Sequence, residues 1–377
     1  MIKFWSYNRE LKRYKKEINL TIQKSLNSGQ IFFGNQINKL EKTFVKKYKS
    51  KFAVAVGSGT DALLISLKCL GIKQGDEVIT AANTAIPTIS AIRSVGALPK
   101  LVDIGDDYLI DISQVKKSIT KKTKAIIPVH LYGQPCDMDK IKKISKKYKL
   151  KIIEDCAQSQ GSKYKNKFCG TIGDLGCFSF YPTKILGAYG DGGLILTNNF
   201  ELYKKIKRIR FYGIETVDKR KKFYNKYFAN EEGINSRIDE IQASILNFKL
   251  SKVDQWISRR RQIAKIYFKN LNSTSLILPK MNDYSYHVYH LFTVYHPNRD
   301  KILNSLKKKF VETRIIYQYP IHKMTAYKNL FSSNNHLKNS EKKSKGIFCL
   351  PLYPEMTDAE VLKVCEILKQ TLKKLRL

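Results

Sequence analysis

The chain has 377 residues, 43% of them hydrophobic, and a formal net charge of +37 at neutral pH. That length suits one large and one smaller domain, and neither MIKFWSYNRELKRYKKEI nor any later run has the apolar stretch of a leader or of a span of ~20 residues, so a cytoplasmic protein with no membrane contact is predicted. The lysines and arginines recur in many separate segments, among them KKSITKKTK, KIKKISKKYKLK and KILNSLKKKF, instead of one stripe, and no nucleic-acid partner is expected from them.

In chain order, EKTFVKKY (41–48) reads as a helix, KFAVAV (51–56) as a strand, TDALLISLKCLG (60–71) as a helix closed by Gly71, and EVITAA (77–82) as a strand. TAIPTISAIRSVG (84–96) is a helix, PKLVDI (99–104) a strand, QVKKSI (114–119) a helical turn and KAIIPVHLYG (124–133) a strand. DMDKIKKISKKYK (137–149) is a helix with Asp137 near its N-cap, followed by strands KIIEDC (151–156), GCFSFYP (176–182) and GGLILTN (192–198) and the basic helix ELYKKIKRIRFYG (201–213). Such alternation predicts an α/β fold, with a mainly parallel sheet covered by helices on both faces.

Residues 236–271 read as one long helix, capped by Asn235 or Ser236, that leads into a second domain. There YHVYHLFTVYH (286–296) is a strand, 298–311 and 358–375 are helices, and short strands lie near Thr313 and Phe348. The predicted organisation is a large domain over 1–250, including an N-terminal arm, and a smaller α+β domain over 251–377.

Between the strand FAVAV and its following helix stand Gly57, Ser58, Gly59 and Thr60, where free amides and the helix dipole favour an anion such as a phosphate. Thr60 adds a hydroxyl, and either Thr60 or Asp61 is the expected cap of that helix. GSGTDA also satisfies a dinucleotide fingerprint, but that pattern needs an acidic residue about 20 residues on, where EVITAANTA offers Asn83 and Thr84.

Lys184, in SFYPTKILGAYGDGG, is flanked by Pro182, Thr183 and a glycine-rich segment in an apolar, aromatic setting unlike the other lysines of the chain. A lysine in such a pocket loses its proton near neutral pH and attacks an aldehyde, and Asp155, closing KIIED, is the carboxylate expected to face it. Ser179 offers a second hydroxyl to the phosphate loop. Cys69, Cys136, Cys156, Cys169, Cys177, Cys349 and Cys365 form no CxxC pair and read as reduced, mostly buried thiols.

Taken in order and at their separations, GSGTDAL, EDCAQSQG, FSFYPTKILGAYGDGG and INSRIDEIQA resemble the sugar aminotransferases of the DegT/DnrJ/EryC1/StrS family over nearly the whole chain. The resemblance implies an aspartate aminotransferase-type (fold type I) architecture, pyridoxal 5′-phosphate as cofactor, and a homodimer whose active sites are shared between subunits. It implies that Lys184 forms the Schiff base, Asp155 pairs with the pyridinium nitrogen and Gln158 contacts the phenolic oxygen or ring face. Ser179, Gly59 and Thr60 would bind the cofactor's phosphate, with Asn235 reaching it from the other subunit.

Within that family, VHLYGQPCDMD and NSRIDEIQA look similar to enzymes that aminate C3 of dTDP-linked 3-oxo-6-deoxyhexoses, with L-glutamate as the expected amino donor. The alternatives are amination at C4 of a dTDP- or GDP-linked 4-oxo sugar and, from another class, a non-catalytic nucleic-acid-binding or regulatory protein. YQYPIHKMTAY resembles a sugar-facing segment, making Tyr317 and His322 expected substrate contacts, with Tyr181 a third residue near the cofactor and sugar. Ile316 and Gln318 replace a frequent His and Pro there, and Ala85 stands where many relatives carry a ring on the cofactor.

Overall fold

Short apolar runs buried on both faces build the centre of the molecule, whose computed structural model describes residues 1–215, 228–331 and 337–377. The basic run KRKKFYNK (219–226) lies outside the described residues. The chain enters through α1 (Tyr7–Asn27) and α2 (Asn35–Tyr48), then alternates through β1 (Phe52–Val56), α3 (Gly59–Cys69), β2 (Glu77–Ala81), α4 (Ile86–Ser94) and β3 (Leu98–Val102). It continues with α5 (Ile112–Lys117), β4 (Thr123–Ile127), α6 (Met138–Tyr148), β5 (Lys151–Asp155) and a small β6 (Lys163–Tyr164) and β7 (Lys167–Phe168). β8 (Leu175–Ser179), β9 (Gly193–Thr197) and α7 (Phe200–Ile209) complete the alternation.

Seven of these strands form one sheet in the order β1-β9-β8-β5-β4-β2-β3. β8, β5, β4, β2 and β3 pair in parallel, and β9 runs against both of its neighbours. The expected mainly parallel α/β sheet is therefore present. Every residue of β8 and β9 is buried, as befits central strands with helices on both faces. Because six strands point the same way, the residues that follow them collect along one edge, where ligands of open α/β sheets bind.

Three local expectations are corrected. The long helix of 236–271 is two helices, α8 (Glu240–Leu250) and α9 (Val253–Leu271), and neither Asn235 nor Ser236 caps it, since α8 starts after Asp239. α8 packs on α1 and α2 whereas α9 packs on a later helix, and Ser251 Oγ ends α8 by donating to the Phe248 carbonyl at 2.7 Å. β4 stops at Ile127, ahead of Pro128, and the chain turns through Tyr132 and Gly133, with φ of 57° and 102°. Residues 286–296 are two strands, β10 (Ser285–Tyr286) and β11 (Phe292–Tyr295), interrupted at Tyr289, whose φ is 48°.

Beyond β11 come α10 (Arg299–Lys308), α11 (Lys338–Gly346), β12 (Ile347–Leu350) and α12 (Asp358–Leu375). β11 and β12 form an antiparallel pair, and α9, α10 and α12 enclose with them an apolar core containing Tyr267, Phe292, Phe348 and Leu368. Thr313 lies in no strand, though its neighbour Arg314 bridges to Cys349. The first residues of the chain join this second core: Ile2 pairs with Val311, and Trp5 packs against the cluster. All seven cysteines are buried free thiols, as expected, and among the described residues no helix is long and apolar enough to cross a membrane.

Candidate active site

Asp155 is the last residue of β5, at the edge where the parallel strands end, and is only 4% exposed. One carboxylate oxygen accepts the Thr88 hydroxyl at 2.9 Å and the other accepts the Ala157 amide at 3.1 Å. Burial pushes this carboxyl above its usual range, while these two donors and the charge of Lys184 pull it back. The two fixed donors thus offset part of the burial penalty on its charge, and a cation beside it would favour the charged form further.

Lys184 belongs to the loop that leaves β8. The loop folds back on itself: the Lys184 amide donates to the Tyr181 carbonyl at 2.9 Å and the Ala188 amide to the Phe180 carbonyl at 2.7 Å. Gly187 is needed for that return, since a Cβ there would lie 2.3 Å from the Pro182 carbonyl oxygen. Burial lowers the ammonium pKa of Lys184 to about 8, against the opposing pull of Asp155. An amine so placed is substantially neutral, hence nucleophilic, in mildly basic water.

The glycine loop lies beside them. Ser58, not Thr60 or Asp61, caps α3, accepting the Asp61 amide at 3.0 Å. Gly59 and Thr60 therefore open the helix with their amides forward. Gly59 sits against the end of β8: a Cβ on it would be 2.6 Å from Ser179 Cβ and 3.1 Å from Ser179 Cα. Gly57 is tied to the segment before α8 by donating to Ser236 Oγ at 2.9 Å, and that hydroxyl donates to Asp61 at 2.8 Å. Two amides at a helix N-terminus with two hydroxyls nearby form a phosphate cradle.

A cavity of about 440 Å³ opens above Lys184, and Gln158, Tyr181 and Tyr317 line it with that lysine. Gln158 bridges the two halves of the chain, accepting the Tyr132 amide at 2.8 Å and donating to the Tyr317 hydroxyl at 2.6 Å. Tyr181 is 53% exposed at the mouth. His322 is not brought to this cavity; its Nε2 lies 2.9 Å from Glu341 Oε1. Asn235 is exposed, beside the anchored Ser236, and does not line the cavity of its own chain.

Sequence reading missed Thr88, the hydroxyl on Asp155, and several cavity residues: Trp5 from the N-terminus, His290, and Arg260 on α9. Arg260 had a signal, for it falls in helical phase with Trp256, Ile257, Ile263 and Ala264, on the stripe where an apolar residue is expected. Thr88 likewise lies on the buried face of α4.

These residues fit pyridoxal phosphate. A buried carboxylate matches a protonated ring nitrogen, a half-buried amine of lowered pKa matches the aldehyde, and the amides that open α3, where Gly59 packs too closely on Ser179 to admit a Cβ, match the phosphate.

Residues 12–369 match the model of the DegT/DnrJ/EryC1/StrS aminotransferase family. The dTDP-3-amino-3,6-dideoxy-alpha-D-galactopyranose transaminase of Aneurinibacillus thermoaerophilus is 40% identical, covering 97% of this chain and 98% of that one. The dTDP-3-amino-3,4,6-trideoxy-alpha-D-glucose transaminase of Micromonospora megalomicea subsp. nigra is 37% identical over 98% of each. Among solved structures, S. venezuelae DesV in complex with a ketimine intermediate superposes with a TM-score of 0.93 at 33% identity, covering 98% of both chains.

Proposed function

The chain belongs to the DegT/DnrJ/EryC1/StrS aminotransferase family, and on that premise we propose that it transfers an amino group from L-glutamate to a dTDP-linked 3-oxo-6-deoxyhexose, using pyridoxal phosphate. The observation that carries the reading is the placement of Lys184 and Asp155 at one sheet edge next to the Gly59–Ser179 cradle. The C3 position and the dTDP carrier are supported by the names of the two relatives, which act on dTDP-3-amino sugars.

When bound, the cofactor supplies an electron sink for the carbanion left by proton removal. Lys184 is the group that moves that proton, because it is the amine in the cavity whose pKa lies near working pH. Asp155, buried and fixed by Thr88 and Ala157, would hold the ring nitrogen protonated. Gly59, Thr60 and Ser179 would hold the phosphate, Gln158 the phenolic edge, and Tyr181 and Tyr317 would face the sugar.

The enzyme is proposed to act in the cytoplasm as a homodimer, with Asn235 of one subunit completing the phosphate site of the other. The exposure of Asn235 beside Ser236, which is bound to the glycine loop, supports that arrangement. A division of the chain near residue 250 is proposed on the same footing, since the second apolar core draws mainly on residues after it.

The test is spectroscopic. Protein loaded with pyridoxal phosphate should lose the visible band of the lysine-bound cofactor on addition of L-glutamate and regain it with a dTDP-3-oxo-6-deoxyhexose. Return of the band only with a 4-oxo sugar would move the reaction to C4, and a glutamate-insensitive band would remove the donor.

A further inference from the structure

Arg260 is 3% exposed, lines the Lys184 cavity, and forms no ion pair with a carboxylate among the described residues. Its Nη1 donates to the carbonyls of Tyr289 and His290 at 3.2 Å each and of Leu352 at 3.0 Å, while its Nε has no hydrogen-bond partner. Burial lowers this guanidinium to about 10, against the opposing charges of Glu355 and Glu10, neither of which pairs with it. A buried cation compensated on one nitrogen by three carbonyl dipoles is short of an anion.

His290 stands next to it. The ring is 6% exposed, lines the same cavity, and has an Nδ1 with no partner. Its backbone is held against the turn at Gly133, where a Cβ would meet the His290 amide at 2.9 Å, and the Leu291 amide donates to the Tyr132 carbonyl. Burial first, then Lys184 and Arg260, keep the imidazole neutral, so it can donate a hydrogen bond without adding a third positive charge. The other cavity guanidinium, Arg314, is already paired with Glu312 and is 59% exposed.

We propose that Arg260 and His290 form a carboxylate-binding subsite in the wall of the Lys184 cavity, which receives a carboxylate of the incoming amino donor. The proposal rests on the aminotransferase reading: an amino acid must bring its amine to the cavity together with a carboxylate that has left water. A guanidinium edge and a neutral N–H supply the donors that replace that water. The subsite selects amino acids over simple amines and leaves the keto-sugar, which needs no carboxylate there, to the remaining walls.

The experiment uses the full-length protein loaded with pyridoxal phosphate, and glutarate, a dicarboxylate with no amine, as the probe. Calorimetry should give saturable glutarate binding that weakens by about 30-fold in Arg260→Gln and several-fold in His290→Asn. The KM for L-glutamate should rise by a similar factor, while amination of the keto-sugar by enzyme supplied in its aminated form changes less than about twofold. His290→Asn keeps the test open should Arg260→Gln fail to fold. A folded variant with unchanged glutarate affinity, or one that loses both half-reactions equally, would overturn the subsite. Arg260-dependent glutarate binding in a protein that transfers no amine would uphold the subsite and remove the donor reading instead.

Discussion

Gln158 donates to the Tyr317 hydroxyl at 2.6 Å and accepts the Tyr132 amide at 2.8 Å, so one side chain ties the end of β5 to two tyrosines far apart in sequence. Both tyrosines have left-handed backbones, with φ of 65° and 57°, and their rings stack with centroids 6.2 Å apart. Such conformations cost energy outside glycine and persist where surrounding bonds hold them. Tyr317→Phe removes the acceptor and leaves a buried amide N–H unpaired, at a cost of about 1–3 kcal/mol. Urea denaturation of the cofactor-free protein should show that loss. A phenylalanine variant as stable as the parent would mean that the hydroxyl does not hold Gln158.

The pKa of Lys184 yields a pH prediction. Cofactor attachment needs the neutral amine, so its rate should rise with pH, reach half its maximum near 8 and level off above that, well below the ordinary lysine value. Asp155 acts to raise that pKa, so Asp155→Asn should move the plateau to lower pH, although the variant would use the cofactor poorly. Stopped-flow absorbance after mixing with pyridoxal phosphate gives both profiles. A rate still climbing above pH 10, or a plateau that moves upward in Asp155→Asn, would contradict the assignment.

The contact between Gly59 and Ser179 predicts an affinity change confined to the phosphate. Gly59→Ala forces a methyl to within 2.6 Å of Ser179 Cβ and 3.1 Å of its Cα, and backbone in a fully buried strand cannot yield cheaply. Widening the cradle should weaken pyridoxal phosphate binding by tenfold or more, since charge-assisted bonds lose strength steeply with distance. Pyridoxal, which lacks the phosphate, should bind the variant and the parent equally well. If both ligands weaken together, the damage lies in the sheet and not in the cradle.

What the sequence made legible was local. The glycine loop, the carboxylate closing β5 and the lysine after β8 are each marked by the strand beside them, and the common direction of β1, β5 and β8 in the sheet then brings them to one edge. Contacts made by distant segments left fainter marks. Arg260 showed itself only as a charge on an apolar helical stripe, whereas nothing local connects Trp5 or His290 to Lys184. The break between α8 and α9 was hidden because both helices continue one periodic pattern while packing on different partners. The cap of α3 was misplaced by two residues or more because Ser, Thr and Asp all stand at its start and all cap well.

Arg9 and Glu360 join the N-terminal arm to α12 through two bonds of 2.7 and 2.5 Å, and Glu360 also completes a capping box with Thr357. The hydrogen bond from Arg9 is the largest cause that holds the Glu360 pKa down at about 2. A carboxyl depressed on folding adds stability that is fully present above its unfolded pKa and lost as pH falls toward the folded one. Arg9 is 40% exposed, so solvent screening limits the contribution to ~1 kcal/mol or less. Glu360→Gln keeps an acceptor for the capping box and removes the charge. The stability difference between parent and variant should therefore be steady from pH 7 to 5, shrink between about 4.5 and 2, and fall with added salt. Denaturant midpoints across that range measure it. A difference that persisted unchanged at pH 2 would assign the loss to helix capping, because the capping bonds do not require the charge that Arg9 stabilises.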